Sequence, residues 1–97
     1  MVTASIGAMI IVSGRIYVDP GRRQEFVASS AVAVALARET EGCLDFVVAA
    51  DPLDADRVNV YEEWESEEAL QAFRSDGPGD DLSAVIRRAD VHQREVS

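Results

Sequence analysis

The sequence predicts a single α+β domain whose elements follow the order β-α-β-β-α-β. Three runs rich in β-branched and apolar residues predict strands at 9–18, 43–51 and 57–64. A long run at 22–42 repeats its apolar residues at spacings of three and four, which is typical of an amphipathic helix. A shorter acidic run at 67–73 predicts a second helix. A chain of 97 residues has the size of one domain.

The first strand, "MIIVSGRIYV", is predicted to turn one apolar face to the core. Side chains of a strand point to opposite sides in turn, so alternate residues share a face. The apolar face consists of Ile10, Val12, Gly14, Ile16 and Val18. The turn sequence "DPG" is expected to end the strand and admit a helix.

The first eight residues are expected to form a poorly ordered leader, with the domain spanning 9–97. The apolar start lacks a Lys or Arg before its short apolar run and leads directly into the first strand, so it does not predict a signal peptide.

The first helix is predicted to lie on the sheet through a stripe that includes Phe26, Ser30, Val34 and Ala37. Its alanine-rich middle permits close packing on the strands. Gly42 is expected to end this helix in a left-handed conformation.

The second and third strands are predicted to form a hairpin around the loop "DPLDAD". Ser66 is expected to cap the second helix, because its hydroxyl can accept a hydrogen bond from a free backbone N–H. The segment "RSDGPGD" is expected to break that helix, and "DLSAVIRRA" to add one or two helical turns. The polar segment "DVHQREV" is predicted to form a final strand at a sheet edge.

This order of elements is that of the ferredoxin-like fold, in which two helices cover one face of an antiparallel four-stranded sheet. The other face would carry Met9, Ile11 and Tyr17. Monomers rarely expose such an apolar surface, so we expect a homodimer formed through this sheet face.

The composition excludes several classes of partner. The net charge is −9, with 18 acidic against 9 basic side chains, which disfavours nucleic acid and anionic membranes. No apolar run approaches the roughly 20 residues of a membrane span. Cys43 is the only cysteine, so no intrachain disulfide forms, and one His with one Cys cannot build a structural zinc site. The sequence predicts an acidic cytoplasmic protein without a metal.

Three segments in series, "VDPGRRQEF", "ETEGCLDFVVAADP" and "VYEEWESEEALQAF", resemble the antibiotic biosynthesis monooxygenase family of dimeric α+β barrel proteins. The resemblance covers about residues 9–75. It implies a ferredoxin-like protomer that pairs with a second copy and holds a pocket between its sheet and its helices. Characterised members oxygenate polycyclic quinols or anthrones with O₂, without metal or flavin. Others degrade haem, isomerise or process small metabolites.

The chain departs from the family pattern at two positions. Phe73 stands where many members have a histidine, nine residues after the tryptophan. Gly14 aligns with an asparagine of the haem-degrading members. The resemblance therefore implies neither haem binding through this helix nor the family's general base, and no cofactor is expected.

Trp64 and Glu62 are the candidate catalytic residues. Strand alternation places both on one face with Val60, and the resemblance implies that this face looks toward the helices. Trp64 is either a core residue or a pocket wall whose indole N–H binds a flat ligand. Glu62 is either a buried base with a raised pKa or a carboxylate that reaches water at the strand edge.

Five further residues are candidates for substrate binding: Gly14, Phe26, Val60, Phe73 and Arg74. Phe26 and Phe73 are expected to line one cavity, unless they are ordinary core residues. Arg74 either stabilises a developing phenolate or ends the helix in solvent.

We therefore expect a cofactor-independent oxygenase that acts on a small aromatic or quinol-like substrate in an apolar pocket. Two alternatives stay open. One is a non-catalytic dimeric domain that binds a small hydrophobic molecule, and the other is an isomerase or metabolite-processing enzyme.

Overall fold

The computed structural model describes residues 8–76 and 83–96. Its strands are β1 (Met9–Val18), β2 (Cys43–Ala50), β3 (Arg57–Trp64) and β4 (Ile86–Val96). Its helices are α1 (Arg23–Arg38) and α2 (Glu67–Asp76), with a 3₁₀ turn at Ser83–Val85. The four strands form one antiparallel sheet in the order β2-β3-β1-β4. The predicted ferredoxin-like fold is confirmed, while most of the expected leader, 1–7, lies outside the described residues.

Helix α1 is shorter than the sequence predicted, and Gly42 does not end it. The helix stops at Arg38, after which the N–H groups of Glu39 and Thr40 donate to carbonyls three residues earlier. Gly42 does have a positive φ of 92°, but it lies in the loop that follows. A Cβ there would lie 2.5 Å from the Cβ of Ala69, so this glycine lets the loop approach α2.

The end of the chain also differs from the prediction. Helix α2 continues through "RSD" to Asp76, while the rest of the segment expected to break it, 77–80, lies outside the described residues. In the described part of "DLSAVIRRA", 83–89, one 3₁₀ turn at Ser83–Val85 precedes the strand that begins at Ile86. The prediction was wrong here because Ile86–Asp90 pair with β1, and pairing along a sheet outweighs local helix propensity. The position of the last strand at a sheet edge is confirmed.

The side of the sheet that faces the helices carries the buried core in two separate clusters. The first cluster lies at the Trp64 end and consists of Ile10, Val12, Ala37, Phe46, Trp64 and Leu70. The second lies at the Val18 end and consists of Val18, Phe26, Val58 and Val85. Val60 is buried between them and belongs to neither.

The opposite side of the sheet, here called the open face, is less apolar than expected. Seven charged strand residues share it: Arg15, Arg57, Arg88 and Arg94 with Asp45, Glu63 and Asp90. Its charge is thus nearly balanced, although the whole chain carries −9. Arg88 lies 4.8 Å from the centre of the Tyr17 ring, and the Tyr61 hydroxyl donates to the Glu63 carboxylate.

Neither helix in the described ranges is long and apolar enough to cross a lipid bilayer.

Candidate functional site

Trp64 is a core residue at the end of β3. Its side chain is fully buried, with a relative exposure of 0%. The ring centres of Phe73 and Phe46 lie 5.4 Å and 6.4 Å from that of Trp64, and the Phe46 ring meets it edge-on at 88°. Such pairs of aromatic rings add to the free energy of burial. The structure therefore places Trp64 in an aromatic cluster that joins β2, β3 and α2.

The indole N–H of Trp64 is engaged by the protein itself. It donates a hydrogen bond of 2.9 Å to Oε1 of Glu62, two residues earlier on the same face of β3. The i, i+2 spacing that the sequence offered is what brings the two side chains together. In the pocket-wall alternative this donor would bind a flat ligand, whereas the structure directs it at the second candidate residue.

Glu62 lies on the helix side of the sheet, flanked by Val12 of β1 and Phe46 of β2. Partial burial among these apolar neighbours raises the pKa of Glu62 above its usual 4.5. The hydrogen bond from Trp64 and the positive charge of Arg74 oppose this shift without cancelling it. Oε2 accepts no hydrogen bond from any residue in the ranges 8–76 and 83–96, so one carboxylate oxygen is available to a ligand.

On the helix side of β1, the residue that follows Val12 is Gly14, which carries no side chain. Gly14 lies between Val60 of β3 and Val91 of β4, at the position along the strands that separates the two core clusters. A Cβ at this position would lie 2.0 Å from the carbonyl oxygen of Asp90, so a larger residue would push β4 away. At the position that the resemblance aligns with an asparagine of the haem-degrading members, this chain thus has no room for a side chain.

Most of the candidate residues lie near Glu62 on the helix side of the sheet, whereas Phe26 lies at the other end of that side. Gly14, Val60, Glu62 and Phe73 lie in the middle or at the Trp64 end, and the exposed Arg74 acts on Glu62 through its charge. Phe26 packs in the cluster at the other end, against Val18 and Val58. The expectation that Phe26 and Phe73 line one cavity was wrong, because α1 extends over both clusters and Phe26, near its start, packs at the Val18 end, whereas Phe73 of α2 packs at the Trp64 end.

Phe46 is the member of this region that the sequence did not single out. It lies opposite Glu62 in the β2–β3 pairing, with its ring centre 5.7 Å from that of Phe73. The pairing register of β2 has an irregularity between Cys43 and Asp45, which a count of residues along the strand cannot locate.

An open groove of about 420 Å³ lies elsewhere, at the outer edge of β2 beside the start of α1. Its lining residues are Arg23, Gln24, Val27, Ala28 and Ala50. None of the candidate residues takes part in it. Within the part of the chain that the structure describes, no three His, Cys, Asp or Glu side chains are grouped so as to hold a metal ion.

The family model of the antibiotic biosynthesis monooxygenases matches residues 9–78, which include every strand and helix of the candidate site except β4. The chain belongs to this family. No curated protein matches the chain significantly.

Solved structures similar to this family member share its architecture over nearly the whole chain. A Chloroflexus aurantiacus protein named "putative Antibiotic biosynthesis monooxygenase" is 28% identical, with a TM-score of 0.76 over 92% of this chain and 93% of that one. A Deinococcus radiodurans protein of the same name is 17% identical, with a TM-score of 0.78 over 91% and 92%. A conserved Bacteroides thetaiotaomicron protein of unknown function, named a possible oxidoreductase, is 16% identical, with a TM-score of 0.80 over 93% and 99%. The last two show the common fold only.

Proposed function

We propose that this member of the antibiotic biosynthesis monooxygenase family is a cofactor-independent oxygenase of the cytoplasm. Its substrate is a small, neutral and weakly acidic aromatic molecule, such as an anthrone or a hydroquinone. The observation that carries the proposal is the Glu62 carboxylate, which is partly buried on the helix side, has a raised pKa and keeps one oxygen free. A general base works best when its pKa lies near the working pH.

The reaction needs only a base and an apolar site. Glu62 removes a proton from the CH₂ group of an anthrone, and the resulting carbanion transfers an electron to O₂. The two radicals combine to a peroxide anion, which takes the proton back from Glu62. Loss of water from the hydroperoxide then gives the ketone, so that one oxygen atom enters the product and the other leaves as water.

The surroundings of Glu62 suit this chemistry. The adjacent Val60, Phe46 and Phe73 side chains are apolar and favour a flat, uncharged substrate over a hydrated ion. Arg74 supplies a positive charge that can stabilise the anion once it has formed. Family membership and the name of the Chloroflexus aurantiacus relative support an oxygenase as well.

We propose further that two copies pair through their open faces, as the family resemblance implies. The nearly balanced charge of the open face supports this, because like-charge repulsion between two acidic chains would be least there. Met9, Ile11 and Val96 gather at one end of that face and would leave water on pairing.

A second candidate function is a domain that binds a small hydrophobic molecule without transforming it. The observation in its favour is Phe73, which packs against Trp64 at the position where many relatives carry a histidine. A site without that base binds the same class of molecule but consumes no oxygen.

Oxygen consumption distinguishes the two functions. We expect a panel of anthrones and hydroquinones to include a substrate for which purified protein takes up O₂, and ¹⁸O₂ to place one labelled atom in the product. Glu62→Gln should lower that rate by about 100-fold or more, the usual contribution of a general base. Glu68→Gln, which changes an exposed carboxylate on α2, is the matched control. Tight binding of the panel without oxygen uptake, or an unchanged rate in Glu62→Gln, would refute the proposed oxygenase mechanism.

A further inference from the structure

Trp64 is placed so that it cannot touch a ligand through its polar edge. Its side chain is fully buried, and its one hydrogen-bond donor is already bonded to Glu62 at 2.9 Å. The rings of Phe46 and Phe73 pack against the indole, with their centres 6.4 and 5.4 Å from its own. A ligand beside Glu62 would thus meet the carboxylate before the indole.

The hydrogen bond from Trp64 has two physical effects on Glu62. A donor that points at a carboxylate oxygen favours the ionised form, so it opposes the effect of burial on the pKa of this group. The rigid, fully packed indole also fixes where Oε1 lies, since a carboxylate on a flexible side chain would otherwise sample several rotamers. Oε2 is then held in one position relative to the strand.

We propose that Trp64 is a positioning residue for the Glu62 carboxylate, acting through its indole N–H and not through contact with a substrate. The role of Trp64 in the reaction rests on the proposed function of Glu62, whereas the hydrogen bond between the two side chains does not depend on that function. The chain has a single tryptophan, which gives one indole ¹H–¹⁵N resonance and makes the bond directly observable.

The decisive measurement is a pH titration of that resonance in the unaltered protein. Protonation of Glu62 removes the negative charge from the acceptor, so the indole proton shift should change along one curve whose midpoint lies above pH 4.5. Glu62→Gln should abolish this curve while the resonance stays dispersed as in a folded protein. An indole shift that does not change through about pH 3 to 8, or that changes equally in Glu62→Gln, would overturn the proposal.

Other titratable groups on the surrounding elements must be separated from Glu62. On the helix side of the sheet and on the covering helices these include Arg38 on α1, Cys43 on β2, Glu67 and Arg74 on α2, and Glu95 on β4. Burial raises the pKa of the Cys43 thiol and so moves it further from the acid range. Glu67→Gln and Glu95→Gln are therefore the controls, and both should leave the indole titration in place.

A substitution at Trp64 tests the same bond from the donor side. Trp64→Phe keeps an aromatic ring but removes the N–H. It should raise the pKa of Glu62, as measured by side-chain ¹³C NMR, by about one unit. Phe46→Leu loosens the packing around the same ring and thins the apolar cover of Glu62 but keeps the N–H, so it should not raise that pKa. Equal shifts in the two variants would mean that Trp64 acts only through packing.

Kinetics separate a positioning residue from a pocket wall. With a substrate found by oxygen uptake, Trp64→Phe should lower kcat by about tenfold to a hundredfold, as misplacement of a catalytic group does, and leave KM unchanged. A raised KM at constant kcat would assign Trp64 to substrate contact instead. If no substrate exists, the oxygenase proposal fails while the indole titration still decides the role of the hydrogen bond.

Discussion

The raised pKa of Glu62 suits a general base but lowers the stability of the folded protein at neutral pH. Partial burial raises the pKa of Glu62 above the value of about 4.5 expected in the unfolded chain. The folded protein then binds a proton more tightly than the unfolded one. This side chain therefore contributes most to stability below pH 4.5, and that contribution is lost as the pH rises through the folded pKa. At neutral pH the charged carboxylate lowers the free energy of unfolding.

Replacing this carboxylate with a neutral amide should stabilise the protein at pH 7. We expect Glu62→Gln to increase the free energy of unfolding by about 0.5–1 kcal/mol at pH 7, because the amide carries no charge to desolvate. The gain should shrink toward pH 4, where the wild-type side chain becomes neutral as well. Urea unfolding at several pH values measures it, with Glu68→Gln as the exposed control. A variant that is less stable than wild type at pH 7 would contradict this account.

At the scale of elements, one side chain joins α1 to the β2–β3 hairpin. Nη1 of Arg23 donates to the carbonyl oxygens of Asp51, Asp54 and Arg57, at 3.0, 2.7 and 3.4 Å. The Asp51 carboxylate organises the same loop by accepting the N–H groups of Leu53 and Asp54. These bonds, with one from Asn59, lower the pKa of Asp51 to about 2. The loop between β2 and β3 is thus held both by Arg23 of α1 and by its own first residue, Asp51.

Removing the arginine should loosen the hairpin. We expect Arg23→Met to lower the free energy of unfolding by about 1–3 kcal/mol, because it leaves the partly buried carbonyl of Asp51 without a donor and removes the second donor from those of Asp54 and Arg57. Amide hydrogen exchange should quicken at residues 51–57 more than elsewhere. Arg22→Met is the matched control, since the side chain of Arg22 makes only an exposed ion pair with Glu25 and its loss should change the free energy of unfolding far less. Equal losses in both variants would show that Arg23 does not anchor the loop.

At the scale of the whole molecule, the distribution of charge decides which surfaces can associate. The chain carries −9, yet its open face has four arginines against three carboxylates among the strand residues. Salt weakens the repulsion between two such chains but affects a balanced face little. Pairing through the open face would bury apolar residues of β1 and β4 that are partly exposed in one protomer.

A substitution that introduces a single charge into the open face can test the proposed dimer. We expect light scattering at micromolar concentration to give twice the chain mass of 10.5 kDa. Ile11→Arg, at the apolar end of the open face, should yield the monomer mass, because the new charge would have to be buried without a partner. Val32→Arg, on the outer surface of α1, should leave the mass unchanged. A wild-type protein that is monomeric at that concentration would refute the pairing.

Local signals in the sequence determined most of the fold. The alternating β-branched runs predicted β1 and β3 with their observed ends, and Ser66 was correctly predicted to cap α2, where its Oγ accepts the N–H of Ala69. Such patterns suffice because they mark which face of a helix or strand is buried on folding. The start of β4 was missed, since only pairing with β1 makes Ile86–Asp90 extended.

The sequence also determined that Trp64 and Glu62 share a face, because the two-residue period of a strand requires it. It did not decide whether the tryptophan is core or pocket. Only the tertiary structure decided this, by placing Phe46 and Phe73 against the ring and directing the indole N–H to Glu62. Burial and hydrogen-bond partners depend on residues distant in the chain, whose positions follow from strand register and helix packing and not from local pattern.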